Sequence, residues 1–356
     1  MVAHNHTFRK DAHNMLTLDF MESLQISRWP YGQMVAGGLV LAPSYAIPGK
    51  RTTITIEGYE RIPETGRVYL AMNHTDRYNY FPFQVNAWLK QKPSMFTATW
   101  VKGKYFNNPA SAWFLQSTNN IPTPSRGYLI TSDAVRLLHA PPDDQTYRML
   151  RDALDEGYHD TKEVRARARA HGVSSQVEML LETPRDMLGI RFDPLKETYF
   201  EAMDRLFERM MSRFIELNLQ AFDHGHKVLV FPEGTRSLTL AKGRPGLAQM
   251  ALRTGATIVP IGCNGSELLY PGDSPFSKGG DVVYRVGEPI TPDGELAPYT
   301  IDEPYTPFTK QAERDYGANF QAVTDIVMQR ISQLVDARYL PGSRDASHVV
   351  GSNRFL

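Results

Sequence analysis

Short β-branched runs alternate with helically spaced apolar residues at both ends of this chain, and that alternation restricts its fold more than any other feature. Residues 53–57 and 67–72 read as strands, and the second run ends directly at Asn73-His74. Residues 79–90 carry aromatic and aliphatic side chains at helical spacing, with Pro82 tolerable only in a first turn. His74 therefore falls where a strand hands over to a helix. Residues 95–100 read as a strand, 110–116 as a helix, and an extended piece around Ile121 leads to Arg126. Further on, residues 227–231, 257–261 and 281–286 read as strands, with a helix over 246–253. The pattern predicts an α/β fold: a mixed, largely central β-sheet flanked by helices, with chemistry at the strand ends.

Residues 127–226 break the alternation, being polar and mostly helical, and read as an insertion within a domain spanning 51–300. Residues 1–50 form an N-terminal segment suited to membrane docking, and residues 301–356 a C-terminal helix and tail. Residues 164–170 alternate arginine with small residues; a solvated helix face explains them better than a docking site for acidic lipid or carrier protein. Residues 195–222 form a long helix candidate with Phe200, Met203, Phe207, Met210 and Phe214 along one stripe. Such a stripe can line an acyl tunnel, but core packing is the simpler account.

The formal net charge is zero, so no global basic field argues for nucleic acid, and attraction to phosphate must come from local clusters. Cys263 is the only cysteine, which excludes an intramolecular disulfide and a thiolate metal cluster and fits a reducing compartment. The first ten residues lack the order of a signal peptide, and His4 and His6 read as polar tail residues. The apolar run over 34–47 is interrupted by Gly37, Gly38 and Pro43 and is too short to cross a bilayer, which needs about 20 residues. The neighbouring histidines His224 and His226 lack helical ligand spacing and further ligands, so no metal site is expected.

Four blocks in order carry a resemblance: Asn73-His74-Thr75-Asp76-Arg77-Tyr78-Asn79, residues 102–126, Phe231-Pro232-Glu233-Gly234-Thr235-Arg236-Ser237, and Ile258-Val259-Pro260-Ile261. Together they resemble the glycerol-phosphate and lysophosphatidate acyltransferase family, the third block being the most specific. The resemblance implies a glycerol-phosphate acyltransferase-like fold and a histidine that activates an acceptor hydroxyl against a thioester. A neutral hydroxyl is a poor nucleophile, so the base must sit within hydrogen-bond reach, and a carboxylate on its other ring nitrogen fixes the tautomer. The family places an aspartate five positions after the histidine; here that position is Asn79. An asparagine oxygen still orients the ring but adds no charge, and in serine proteases the equivalent change loses about 10⁴-fold in kcat. Asp76 is the other candidate orienter.

By the same resemblance Lys102 and Arg126 belong to a phosphate site, with Lys104 able to replace Lys102. Arg236 binds acceptor phosphate, Glu233 contacts the acceptor or organises the basic residues, and Gly234 permits close backbone approach, with hydroxyl contacts from Thr235 and Ser237. Val259 and Pro260 read as structural, and Cys263 as a buried thiol rather than an acyl carrier.

The implied activity moves a fatty acyl group from acyl-CoA or acyl carrier protein to the hydroxyl of a glycerol-phosphate-type lipid precursor, a step of phospholipid biosynthesis, with no cofactor beyond the co-substrate. Implied partners are the thioester donor, the lipid acceptor, a membrane surface and acyl carrier protein, with no nucleic acid. The implied location is cytoplasmic, peripheral at the inner face of a membrane. Two rivals stand beside this reading: a non-catalytic lipid or phosphate binder, and a phospholipid transacylase.

Overall fold

The computed structural model describes residues 15–156 and 161–341, so His4, His6 and residues 342–356 of the C-terminal tail lie outside the described residues. Seven strands form one sheet in the order β1, β9, β8, β2, β7, β3, β4. They are β1 (Thr52–Glu57), β2 (Val68–Met72), β3 (Thr97–Lys102), β4 (Asn120–Thr123), β7 (Lys227–Val230), β8 (Thr257–Asn264) and β9 (Gly280–Val286); β5 (Arg185–Met187) and β6 (Ile190–Phe192) form a separate hairpin. All neighbouring pairs of the large sheet run parallel except β8 with β9. The mixed, central β-sheet flanked by helices of the sequence reading is therefore observed, and it is mostly parallel.

Strand β2 is buried along its whole length because both faces of the sheet are covered. Val68, Leu70 and Met72 face one apolar cluster, shared with Phe83 and Val85 of helix α1 (Phe81–Leu89). Tyr69 and Ala71 face the other, which holds Met203, Met210 and Phe214. Those side chains lie on α2 (Tyr199–Asp223), so the methionine stripe is core, as simple packing requires. Helix α2 begins at Tyr199 rather than near Leu195 because Thr198 and Glu201 form a capping box that fixes its first turn. Helix α3 (Lys310–Ser332) adds Phe320, Val323 and Val327 to the same cluster.

Other boundaries shift where tertiary pairing extends an element. Strand β3 runs on to Lys102, held by its parallel register with Thr123 of β4. Strand β8 continues through Asn264 because β9 pairs with its second half. The insertion is mostly helical as expected, but it also contains the β5–β6 hairpin. Its Arg185 makes a two-pronged ion pair with the buried Asp133 of the helix Arg126–Leu138, at 2.9 and 2.5 Å. In the Arg/Ala stretch, Arg165 pairs with Glu182 and Arg167 with Glu163, so part of its charge is balanced by neighbouring carboxylates.

The parallel strands β2, β3, β4, β7 and β8 all point their carboxyl ends the same way. His74, Lys102 and the Phe231–Ser237 block follow β2, β3 and β7, so the fold delivers all three to one edge of the sheet.

Candidate active site

His74 leaves β2 in a turn whose shape is set by Asp76. Its carboxylate accepts from Tyr78 N–H at 2.8 Å and from the Thr75 hydroxyl at 3.0 Å. The turn carries Asn79 back under the imidazole, with 3.2 Å between His74 Nδ1 and Asn79 Oδ1. The side-chain amide of Asn79 donates at 2.7 Å to the Asn73 carbonyl, which can only accept. Its oxygen must then face the ring, so Nδ1 carries the proton and Nε2 presents its lone pair. Asn79 is fully buried, and its own carbonyl accepts from Tyr284 Oη at 2.6 Å. The orienting contact therefore comes from Asn79; Asp76 is engaged by its own turn and makes no hydrogen bond to His74.

The Phe231–Ser237 block closes over the histidine. Glu233 is 1 % exposed and accepts His74 N–H on Oε1 at 2.9 Å and Ala241 N–H on Oε2 at 2.8 Å, while Ser237 N–H donates to the His74 carbonyl at 2.8 Å. Both backbone polar groups of His74 are thus tied to this block. The imidazole stacks on Phe231, with centroids 3.9 Å apart and planes inclined by 14°. Gly234 has φ = 68°, so the turn needs glycine for its left-handed backbone. Thr235 and Arg236 are exposed on the turn.

Cations gather on the open side. The charges of Arg236 and Lys102 act on His74, and those of Arg236 and Arg77 act on Lys104. Burial is the largest influence on His74 and lowers its pKa to about 3, against the opposing hydrogen bond from Asn79; the two cations lower it further. Burial likewise raises Glu233 to about 7, overriding its two backbone donors. Arg77 is held by Asp273 at 3.1 Å, whereas Arg236 has no hydrogen bond or ion pair among the described residues.

The structure brings together His74, Asn79, Lys102, Glu233, Gly234, Arg236 and Ser237. It gives Arg126 other partners. Arg126 opens its helix with a guanidinium that donates to the Phe308 carbonyl at 3.0 Å, reaches Asp204 at 3.4 Å and lies 4.4 Å from the Phe207 ring centre. Its Nε and Nη1 are thus engaged inside the fold, a different use from the phosphate contact expected of it. Glu233, expected to contact the acceptor or organise the basic residues, holds two backbone N–H groups with its oxygens. Sequence reasoning assigned no role to Phe231 or Arg77, although both stood inside the quoted blocks; the aromatic residue before Pro232 was the available signal. Cys263 is fully buried, and burial pushes its thiol well above the usual range, leaving no thiolate nucleophile. Among the described residues no cluster of three or more His, Cys, Asp or Glu is arranged to hold a metal ion.

Beside Phe231, whose ring meets Tyr80 edge-on at 5.8 Å, opens an apolar cleft. Tyr80, Phe81, Val85 and Trp88 form one wall, and Gly37 and Leu41 of the N-terminal segment the other. Its volume is about 40 Å³, room for a few water-sized groups.

A strand-end histidine with an oriented tautomer thus stands beside a turn that carries an exposed arginine. Residues 192–264 match the family model described as Acyltransferase, a span that includes the Arg236 turn and strand β8. That match is to an acyltransferase family model over about a fifth of the chain. A solved structure, that of the 1-acyl-sn-glycerophosphate (LPA) acyltransferase PlsC from Thermotoga maritima, is similar at 15 % identity and a TM-score of 0.36, over 80 % of this chain and 72 % of that one.

Proposed function

We propose that this protein transfers a fatty acyl group from a thioester, on coenzyme A or acyl carrier protein, to the hydroxyl of a glycerol-phosphate-type lipid, lysophosphatidate or glycerol 3-phosphate. The observation that carries the reading is His74, whose Nε2 the Asn79 contact leaves unprotonated, beside the cations Lys102 and Arg236. Nε2 takes the proton of the acceptor hydroxyl as its oxygen attacks the thioester carbonyl. Collapse of the tetrahedral intermediate breaks the carbon–sulfur bond, and the departing thiolate recovers that proton from the imidazolium.

Arg236 and Lys102 hold the acceptor phosphate, with Lys104 adjoining them. A bound phosphate offsets the two cations that lower the His74 pKa, so acceptor binding strengthens the base. Glu233 and Ser237 act as positioning residues. The N–H groups of His74 and Ser237 already have acceptors, so the oxyanion draws on other donors.

The acyl chain lies in the cleft bounded by Tyr80 and Trp88. Around it Tyr31, Val35, Leu39, Val40 and Trp113 are exposed, an apolar face suited to the membrane interface. No helix among the described residues is long and apolar enough to cross a bilayer. The working location is the inner surface of a membrane.

Free-thiol release from an acyl thioester, followed with and without lysophosphatidate, tests the reading. Acceptor-dependent release should fall by about 10²- to 10⁴-fold in His74→Ala. Tight lipid binding without thiol release would identify a non-catalytic binder instead, and release that requires a diacyl phospholipid donor a transacylase.

A further inference from the structure

The opposite edge of the sheet carries a second cavity. It has a volume of about 510 Å³, within the usual range for small-molecule sites. Its walls come from the amino-terminal ends of the strands: Glu64 and Thr65 before β2, Phe96 before β3, and Lys227 at the start of β7. His74 lies beyond the other end of β2, across roughly 13 Å of strand. The cavity is thus separate from the transfer site, and the inference does not rest on the acyltransferase reading.

Lys227 is 2 % exposed, an unusual place for an ammonium group. Its Nζ donates to the Glu64 carbonyl at 2.9 Å, and it forms no ion pair among the described residues. The Glu64 carboxylate is its acidic neighbour, exposed and beyond ion-pair range. A buried ammonium without a paired anion is held at a desolvation penalty that an anion in the cavity would offset. Arg28, exposed and without a hydrogen bond or ion pair among the described residues, adds a second cation to the lining. Nδ1 of His224 is buried without a hydrogen-bond partner. His226, in contrast, is satisfied by the Ser27 carbonyl at 2.8 Å. Aromatic rings of Trp29, Phe96 and Tyr59 also line it, with the Tyr59 hydroxyl engaged by the Pro93 carbonyl and polar side chains of Thr65 and Ser94 beside them.

We propose that this cavity binds an organic anion with a flat apolar body, its carboxylate or phosphate held by Lys227 and Arg28 and its ring against Trp29 and Phe96. Calorimetric titration of the full-length protein with phenyl phosphate, benzoate, inorganic phosphate and benzyl alcohol tests it. At least one of the two aromatic anions should bind at least about tenfold more tightly than either inorganic phosphate or the neutral alcohol. Phenyl phosphate ahead of benzoate would assign a phosphate ligand, and the reverse a carboxylate; both support the site. Lys227→Met and Arg28→Ala should each weaken binding by about tenfold, while Arg236→Ala, at the other edge, should leave it unchanged. If Lys227→Met proves unfolded in a melting experiment, the exposed Arg28→Ala carries the test. Equal affinity for benzyl alcohol, affinity unaltered in Arg28→Ala, loss of binding in Arg236→Ala, or no saturable binding would overturn the proposal.

Discussion

In the proposed mechanism, the choice between an amide and a carboxylate partner at His74 sets the strength of the base. Asn79 fixes the tautomer without adding charge, and burial leaves the imidazole at a pKa of about 3. Neutral imidazole is the active form, so kcat/KM should show no acid limb from His74 across about pH 5 to 8. Asn79→Asp places a negative charge on the Nδ1 side, raises the pKa, and should move an acid limb up into that range. Activity would then be lost as pH falls, from a higher plateau rate. A pH–rate profile of the two proteins decides it, and identical profiles would contradict the assignment. At this scale the sequence was readable where a strand run ended in a polar block, as at Asn73-His74 and Phe231-Pro232-Glu233. It could not separate Asn79 from Asp76, because only the turn built by Asp76 brings Asn79 under the ring. Arg126 misled because its partners, Asp204 and Phe308, are distant in sequence.

Among the elements, the N-terminal segment and α1 meet across the apolar cleft, and their fit is set by glycine. A Cβ at Gly37 would meet Val85 Cγ2 at 3.5 Å and the Trp88 ring at 3.6 Å, which is ordinary contact and needs no backbone shift. The larger side chain of Gly37→Leu would extend into the groove. It should lower kcat/KM for a long-chain thioester relative to a short-chain one by about tenfold, measured by competition between the two donors. An unchanged ratio would mean that the acyl chain lies elsewhere. The cleft was not legible in the sequence: residues 34–47 showed apolarity and glycine, but periodicity does not say which helix packs opposite. The long helix was legible because its stripe repeats over many turns. The β5–β6 hairpin was missed because three-residue strands carry too little alternation to register.

The whole molecule places the proposed transfer site at one edge of a sheet and a separate cationic cavity at the other, with the exposed apolar face bordering the cleft. Membrane docking through that face predicts that the double variant Leu39→Glu, Val40→Glu sediments with anionic vesicles at least about tenfold less than the parent, each buried aliphatic side chain contributing about 1.5–3 kcal/mol. Equal sedimentation would move the docking surface elsewhere. The fold class was legible from alternating strands and helices, whereas the meeting of His74 with Arg236 depends on β2 and β7 being paired neighbours. That meeting is tested most directly by comparing kcat/KM of Arg236→Ala and the parent on lysophosphatidate and on its dephosphorylated analogue. Loss of a charge-assisted phosphate contact predicts a fall of about 10- to 100-fold on the phosphorylated acceptor and less than about threefold on the other. An equal loss on both, or none on either, would contradict a shared acceptor bound between the imidazole and the guanidinium.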